Sequence, residues 1–420
     1  MVQDGDAECS ASACLMNSTV QADTVVLAPA AYLLDPDLGS EPERPWRLAQ
    51  GLAQRGLRVV IVAREAKRLE ELGHNVVLDR PPGGSPTTPA GRILDRVNLY
   101  LHARRVAYRE VASGRALVVH HMGPCSEQSP SLIGRLPVPF VYGPLPISRD
   151  HNDQEEWLSW LGTPDAHVSQ ALLSRVIAGP AGVAAHWMWR RRIRRADAIT
   201  VEATVNVPTW SGKVYVIPPG IDAIQFSPML LSKRVPGRVI AVGKLFDRKG
   251  YDVLIRAVAR AVRAHPSANL VLVGSGPQEQ SLRLLASELG IGSLVTFAGT
   301  VAREDLPTLL TSADVFCHPA RWDTFPLAPL EAMACGLPTL VSSAGALPEI
   351  VGDAGIVHAV GNDAELSTHL VDVLSDANTR RILGTAARLR VLERFTWGAM
   401  CDSYHDLYCR LSAPAGDLAS

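Results

Sequence analysis

Trp322 to Ser342 reads WDTFPLAPLEAMACGLPTLVS. Asp323 opens it in a Thr-Phe-Pro turn, and Glu331 follows eight positions later. Glu331 begins an apolar run, Glu-Ala-Met-Ala, that reads as the first turns of a helix. Cys335 and Gly336 end the run, and Leu337 to Val341 reads as a buried strand. The expected order is loop, helix start, short helix, strand. A helix start offers unpaired N–H groups and the positive end of a dipole, which suits an anion. Two carboxylates beside it suit hydroxyls rather than phosphate. A sugar attached to a diphosphate presents both chemistries at once. The plain alternative is an ordinary αβ unit with two surface acids.

The rest of the chain limits what such a site can belong to. Its 420 residues suffice for two domains of ordinary size, and 47% hydrophobic with 20% charged residues supports a substantial core. A formal net charge of −1 provides no global field to recruit nucleic acid or an anionic membrane. The seven cysteines are scattered without a C-x-x-C or metal-ligand spacing, and read as reduced, cytoplasmic thiols. No run of eighteen apolar residues predicts a membrane span. Residues 1–23 are polar, lack the basic start and apolar stretch of a secretory signal, and read as a disordered leader.

Two βα patterns follow in succession. Thr24 to Ala30 reads as a strand, Trp46 to Arg55 as a helix, and Arg58 to Ala63 as the next strand. This is the opening of a doubly wound sheet. Ala116 to His121, ALVVHH, ends in His120 and His121, at the strand edge where ligands of parallel sheets bind. They are cleft candidates or structural histidines closing the strand. The next strand, Val138 to Tyr142, runs into Gly143-Pro144. Asp35-Pro36-Asp37 has the D-x-D form of a metal site, but its position after the first strand reads as a solvated turn. A basic stretch flanked by tryptophans, 187–195, is either a solvated face or a peripheral membrane contact. After Ser227 to Arg238, read as a linker, the pattern restarts with the strand Val239 to Val242, the loop Gly243 to Gly250 and the helix Tyr251 to His265. Lysine is rare in this chain, yet Lys244 and Lys249 share that one loop.

Asp323-x7-Glu331, with Phe325, Leu327, Leu330, Ala332, Met333, Gly336 and Pro338, resembles the E-x7-E signature of the retaining glycosyltransferases of family GT4. That family has the GT-B fold. Asp323 stands where the family has Glu, and Pro326 where it has Gly. Gly39-Ser40-Glu41-Pro42 resembles the G-S-E-P loop of a subset of the family. Gly243-Lys244-Leu245 through Lys249-Gly250 resembles its G-R-L-x-x-x-K-G loop. Gly274-Ser275-Gly276-Pro277 resembles its G-x-G-P turn, the segment ending at Val301 resembles the one whose backbone reads the base, and Ser343 to Glu349 its G-G-x-x-E loop.

The resemblance implies α/β architecture, with two Rossmann-like doubly wound domains facing a cleft. Residues 24–226 would hold the acceptor, 227–238 link the domains, 239–394 hold the nucleotide sugar, and 395–412 return as a helix to the first domain. It implies a UDP-sugar or other nucleoside-diphosphate sugar as donor, with Gly243, Gly274, Val301, Phe325, Pro326 and Leu327 lining its site. Glu331 would hold the ribose hydroxyls, Asp323 face the sugar, and Lys244 and Lys249 stabilise the departing diphosphate. Gly39, Ser40, Glu41, His120, His121 and Gly143 would lie on the acceptor side of the cleft. Many family members carry a histidine at the position of Gly143. The implied reaction is hexosyl transfer with retention, to a natural-product hydroxyl or an envelope glycan or lipid carrier, without a metal or other cofactor and without a nucleic-acid partner. A nucleotide-sugar epimerase and a non-catalytic nucleotide-binding homologue share the fold and remain open at this point.

Overall fold

The computed structural model describes residues 23–37, 40–83, 89–123, 131–145, 195–208, 213–229 and 234–413. Residues 1–22 of the expected leader, Gly39 and residues 187–194 of the basic stretch lie outside them.

The first sheet is built from β1 (Thr24–Leu34), β2 (Arg58–Ala66), β3 (Val76–Asp79), β4 (Ala116–His121), β5 (Phe140–Tyr142), β6 (Ala198–Val201) and β7 (Val214–Val216), in the order β3-β2-β1-β4-β5-β6-β7. All of its pairings are parallel. Val25, Val26, Leu27 and Ala28 are fully buried, as expected of a central strand covered on both faces. Helix α1 (Ser40–Gln54) covers one face and α2 (Pro89–Ala112) the other: Trp46, Leu48 and Leu52 join one core, and Leu99, Ala103 and Val106 the opposite one.

The second sheet contains β8 (Arg238–Val242), β9 (Asn269–Val273), β10 (Val295–Gly299), β11 (Val315–His318), β12 (Thr339–Ser342) and β13 (Ile356–His358). Its order is β10-β9-β8-β11-β12-β13, again all parallel. Successive strands are laid down outward in one direction from β8 and in the opposite direction from β11, so the strand order reverses between them. Such a switch point opens a crevice at the carboxyl ends of the strands, where ligands of doubly wound sheets bind. The Gly243 to Gly250 loop leaves β8 there, and Pro319 to Pro326 leaves β11.

The last helix, α3 in contact with the first sheet (Trp397–Ser412), is capped by Thr396, whose hydroxyl accepts the Ala399 N–H at 3.1 Å. Met400, Tyr404, Leu407 and Tyr408 pack into the same core as Trp46 and Leu48. Chain from the second sheet therefore closes the first.

Two of the boundaries that differ from expectation bear on the site. Ser40 and Glu41 belong to the first turn of α1 rather than to a loop. Pro42 does not prevent this, because an N–H missing from the first turn breaks no helical bond. The helix that contains Glu331 runs from Leu327 to Ala334, with Pro326 at its N-cap. Glu331 is thus the fifth residue of the helix, not its start. Pro326 has extended backbone, φ −74° and ψ 135°, and its fixed φ sets the chain for entry into the helix.

Candidate active site

Asp323 lies in the loop after β11 and is 5% exposed. Lys249, at the end of the β8 loop, forms an ion pair with its Oδ2. His318, the last residue of β11, donates from Nε2 to the same oxygen at 2.9 Å. Arg248 places Nη1 3.9 Å from Oδ1. Burial pushes the Asp323 carboxyl up, but the Lys249 charge and the His318 hydrogen bond outweigh it and hold the group well below the usual carboxylate range. Burial lowers the pKa of His318, against the pull of Asp323. With His318 neutral, the two cations and one carboxylate leave one net positive charge in a largely buried loop pair, suited to an anion.

Further polar groups border this cluster. The Tyr251 hydroxyl is buried and has no hydrogen-bond partner among the described residues. Burial raises its pKa, and Asp323 raises it further. A Cβ placed on Gly243 would stand 2.7 Å from that hydroxyl, so Tyr251 lies directly under the loop. Gly274 donates its N–H to the Gly299 carbonyl at 2.7 Å, and a Cβ there would meet the Gly243 carbonyl oxygen at 2.1 Å. Only glycine permits these two loops to touch. Lys244 is exposed on the same loop.

Glu331 is buried because nearly every face of its short helix is covered: Pro329, Leu330, Ala332, Met333 and Ala334 are buried around it. Arg303 donates from Nη1 to Glu331 Oε1 at 3.0 Å and from Nη2 to Glu43 Oε2, on α1, at 3.1 Å. Burial raises the Glu331 pKa, Arg303 opposes this and Glu43 adds to it. Val301, two residues before Arg303, is half-buried against the core that contains Phe325 and Leu330, and Leu327 packs there too. The Phe325 ring lies 6.3 Å from that of Phe395.

The two domains meet around this site. The Glu349 carboxylate accepts from both the backbone N–H of Thr204, at 2.8 Å, and its hydroxyl, at 2.6 Å. Arg303 of the second domain reaches Glu43 of the first at 3.1 Å.

The expected acceptor-side residues fare unevenly. Gly39 is not described, and Ser40 and Glu41 are placed only as helix backbone. His120 and His121 sit at the strand end as expected, and both are 0% exposed, in keeping with the second of their two readings, histidines that close the strand. His120 donates from Nε2 to the Gly143 carbonyl at 3.0 Å, and its Nδ1 pairs with the Tyr408 hydroxyl at 2.6 Å. His121 pairs with Ser131 at 3.0 Å. Burial lowers the pKa of each to about 3. Gly143 is buried with φ +146°, and a Cβ there would meet the Thr200 hydroxyl at 2.1 Å and its carbonyl oxygen at 2.5 Å. A side chain does not fit at this position without a shift of Thr200.

Asp35, of the D-x-D, is 1% exposed and pairs with Lys67 at 2.7 Å, while Asp37 pairs with Arg68 at 2.8 Å. Both carboxylates are therefore neutralised by lysine and arginine. Among the described residues no group of three or more His, Cys, Asp or Glu could hold a metal ion, and no helix is long and apolar enough to cross a membrane.

His318, Arg303, Glu43 and Tyr251 were not singled out from sequence. His318 had one available signal, its place at a strand end five residues before Asp323.

Known proteins resemble this chain in both sequence and fold. The family model described as glycosyl transferases group 1 matches residues 230–390. The GDP-mannose-dependent monoacylated alpha-(1-6)-phosphatidylinositol monomannoside mannosyltransferase of Corynebacterium glutamicum is 33% identical over 203 residues, 44% of this chain and 53% of that protein. The D-inositol 3-phosphate glycosyltransferase of Corynebacterium jeikeium is 34% identical over 223 residues, 48% of this chain and 53% of that protein. The chain thus matches about half the length of these relatives. Sucrose-phosphate synthase from Thermosynechococcus elongatus superimposes with a TM-score of 0.62 at 22% identity, covering 92% of this chain and 98% of that one. The lipopolysaccharide glycosyltransferase WaaG superimposes with a TM-score of 0.59 at 19% identity, covering 92% and 99%. Two parallel-sheet α/β domains of this kind form the GT-B fold, and the residues that build the Asp323 and Glu331 sites, apart from Glu43, fall within the segment that matches glycosyl transferases group 1.

Proposed function

We propose that this protein transfers a hexose or N-acetylhexosamine from a nucleoside-diphosphate sugar to a hydroxyl acceptor, with retention of anomeric configuration. The observation that carries the reading is the pairing of Asp323 with Lys249 and His318 at the switch point of the second sheet. In the proposed complex the diphosphate meets the Lys249 ammonium, which stays beside Asp323, with Arg248 and the exposed Lys244 adding charge. Negative charge grows on the departing diphosphate, and fixed cations that meet it there lower the barrier. Asp323, kept ionised, accepts from a hydroxyl of the donor sugar. Glu331 holds the ribose. The leaving phosphate oxygen takes the acceptor's proton, so no side-chain nucleophile is assigned and no metal is required.

The resemblance read from sequence favours a UDP-sugar. The named relatives include a GDP-mannose-dependent enzyme, so GDP-mannose belongs beside the UDP-hexoses as a first donor to try. The acceptor is a hydroxyl compound bound mainly by the first domain. An inositol-containing or glycosylated lipid and a free polyol or aminoglycoside are the classes to compare.

The test is a donor-by-acceptor matrix read by mass spectrometry and nucleoside-diphosphate release, with the product's anomeric proton assigned by NMR. Acceptor-dependent release with a retained anomeric centre is the expected result. Inversion overturns the retaining assignment. Donor turnover to an isomeric nucleotide sugar without acceptor would make the protein an epimerase instead, and nucleotide binding without any turnover would make it a binding homologue.

A further inference from the structure

Arg303 stands between carboxylates of two domains. Its two terminal nitrogens engage different partners, Glu331 in the second domain and Glu43 in the first. The Glu43 side chain is fully buried, that of Glu331 is 7% exposed and that of Arg303 21%. The guanidinium also lies over the Phe226 ring, 5.2 Å from its centre. Beyond Glu43 the series continues through Arg47, 3.2 Å from Glu43, to Asp222, 3.5 Å from Arg47. Three carboxylates thus alternate with two guanidiniums across the domain boundary. A planar guanidinium normally grips one carboxylate with both prongs. Arg303 is divided between two, so what draws it to one loosens its hold on the other.

We propose that Arg303 is a positioning residue that couples the ribose site at Glu331 to the first domain through Glu43. The proposal rests on the assignment of Glu331 to the ribose. A ribose hydroxyl that binds Glu331 competes with Arg303 for the carboxylate. Glu43 assists by holding the guanidinium to the other side. Without the charge on Glu43, Arg303 closes on Glu331 and the ribose meets a stronger competitor. Linkage makes the effect reciprocal: a nucleotide that displaces Arg303 from Glu331 strengthens its bond to Glu43 and so the contact between the domains. An ion pair with a purely structural role would influence stability but leave the ribose untouched.

The experiment measures UDP and GDP affinity by calorimetry in the parent, Glu43→Gln, Arg303→Met and the double variant. Inorganic pyrophosphate serves as a ligand that lacks ribose. Glu43→Gln should weaken the better-bound nucleotide roughly fivefold or more, the lower end of ordinary coupling between sites. Pyrophosphate affinity should stay within about twofold, which separates the effect from a general loss of structure. In the Arg303→Met background the same Glu43 substitution should have no further effect. If Arg303→Met does not fold, Arg303→Lys replaces it, since its one ammonium cannot present a separate nitrogen to each carboxylate as the guanidinium does. An unchanged nucleotide affinity in Glu43→Gln overturns the coupling, as does an equal loss for pyrophosphate. Failure of the parent to bind any nucleoside diphosphate would instead overturn the proposed function.

Discussion

His318 Nε2 and Lys249 Nζ converge on a single oxygen, Oδ2 of Asp323. One donor comes from a strand end and the other from the loop of the neighbouring strand, so the carboxylate ties together the two sides of the switch point. With Arg248 near the other oxygen, Asp323 is held in one ionisation state and one place before any ligand arrives. This is the preorganisation that a group must have to act on a transition state without rearranging.

Substitution of Asp323 by Glu tests the meaning of its length. The extra methylene has to fit a site that is 5% exposed and already engaged by three side chains. Asp323→Glu is expected to alter the relative kcat/KM across a panel of nucleotide hexoses while nucleoside-diphosphate affinity stays within about threefold, since donor discrimination is a ratio of kcat/KM values. Identical relative kcat/KM values would remove Asp323 from contact with the sugar.

Glu331→Ala removes a charge-assisted acceptor and leaves the partly buried Arg303 with Glu43 alone. Nucleoside-diphosphate binding should weaken by about 1.5–3 kcal/mol, the range for hydrogen bonds to charged groups. Calorimetry decides it. Affinity equal to the parent's would place the ribose elsewhere.

The site was legible in sequence where spacing and chain position carry the chemistry. Asp323 and Glu331 lie in one continuous loop and helix, and Lys249 in the loop of a neighbouring strand. What sequence missed are partners brought in by tertiary packing. Arg303 meets Glu43 from 260 positions away, and Tyr408 covers His120 from 288 positions away. The strand-end rule placed His120 and His121 correctly along the strand. It did not reveal that the last helix of the chain covers one of them. The same applies to Gly143, whose difference from the resembling family was visible, while the backbone and hydroxyl of Thr200 packed against it were not. Helix boundaries failed locally: Pro42 was read as loop chemistry, although a first turn accommodates it.

Gly143 supplies a stability prediction. Gly143→Ala introduces a Cβ where the Thr200 hydroxyl and carbonyl stand 2.1 and 2.5 Å away, at φ +146°. Destabilisation of roughly 2–3 kcal/mol is expected from overpacking and backbone strain together. A shift in the urea midpoint at unchanged slope measures it. Adding Thr200→Ala should restore only part of the loss, because the carbonyl oxygen remains. Full restoration would show that the backbone contact is harmless.

The buried histidines make stability depend on acid. His120 and His121 are neutral in the fold with pKa values of about 3, against an ordinary value of 6.5. Between those values the unfolded chain binds more protons, so stability rises with pH and is lost as pH falls from 6.5 toward 3. Replacing His120 with Gln should flatten this acid limb by up to about 1.4 kcal/mol per pH unit. Denaturant unfolding across the range provides the slope. An equally steep limb in the variant would show that His120 does not titrate on unfolding.

Lys249 bears the most direct test of mechanism. Its ammonium is paired with Asp323 and is 12% exposed, so it is fixed rather than free to follow a ligand. If its charge serves mainly the departing diphosphate, Lys249→Ala should lower kcat by about 10²–10³, as loss of one preorganised stabilising donor does elsewhere. Donor KM should change less, because an interaction that strengthens in the transition state appears chiefly in kcat. The variant also leaves Asp323 with His318 and Arg248 only, so part of the loss will reflect a displaced carboxylate. Lys249→Arg separates the two contributions. It keeps a cation beside Asp323 but replaces the compact ammonium with a planar fork, and should recover stability more fully than turnover. Product formed by either variant should keep the donor's anomeric configuration, since neither change alters the face of attack. Steady-state kinetics and the anomeric proton in NMR report both. A kcat for Lys249→Ala within threefold of the parent would leave the diphosphate to other cations, with Arg248 the nearest candidate.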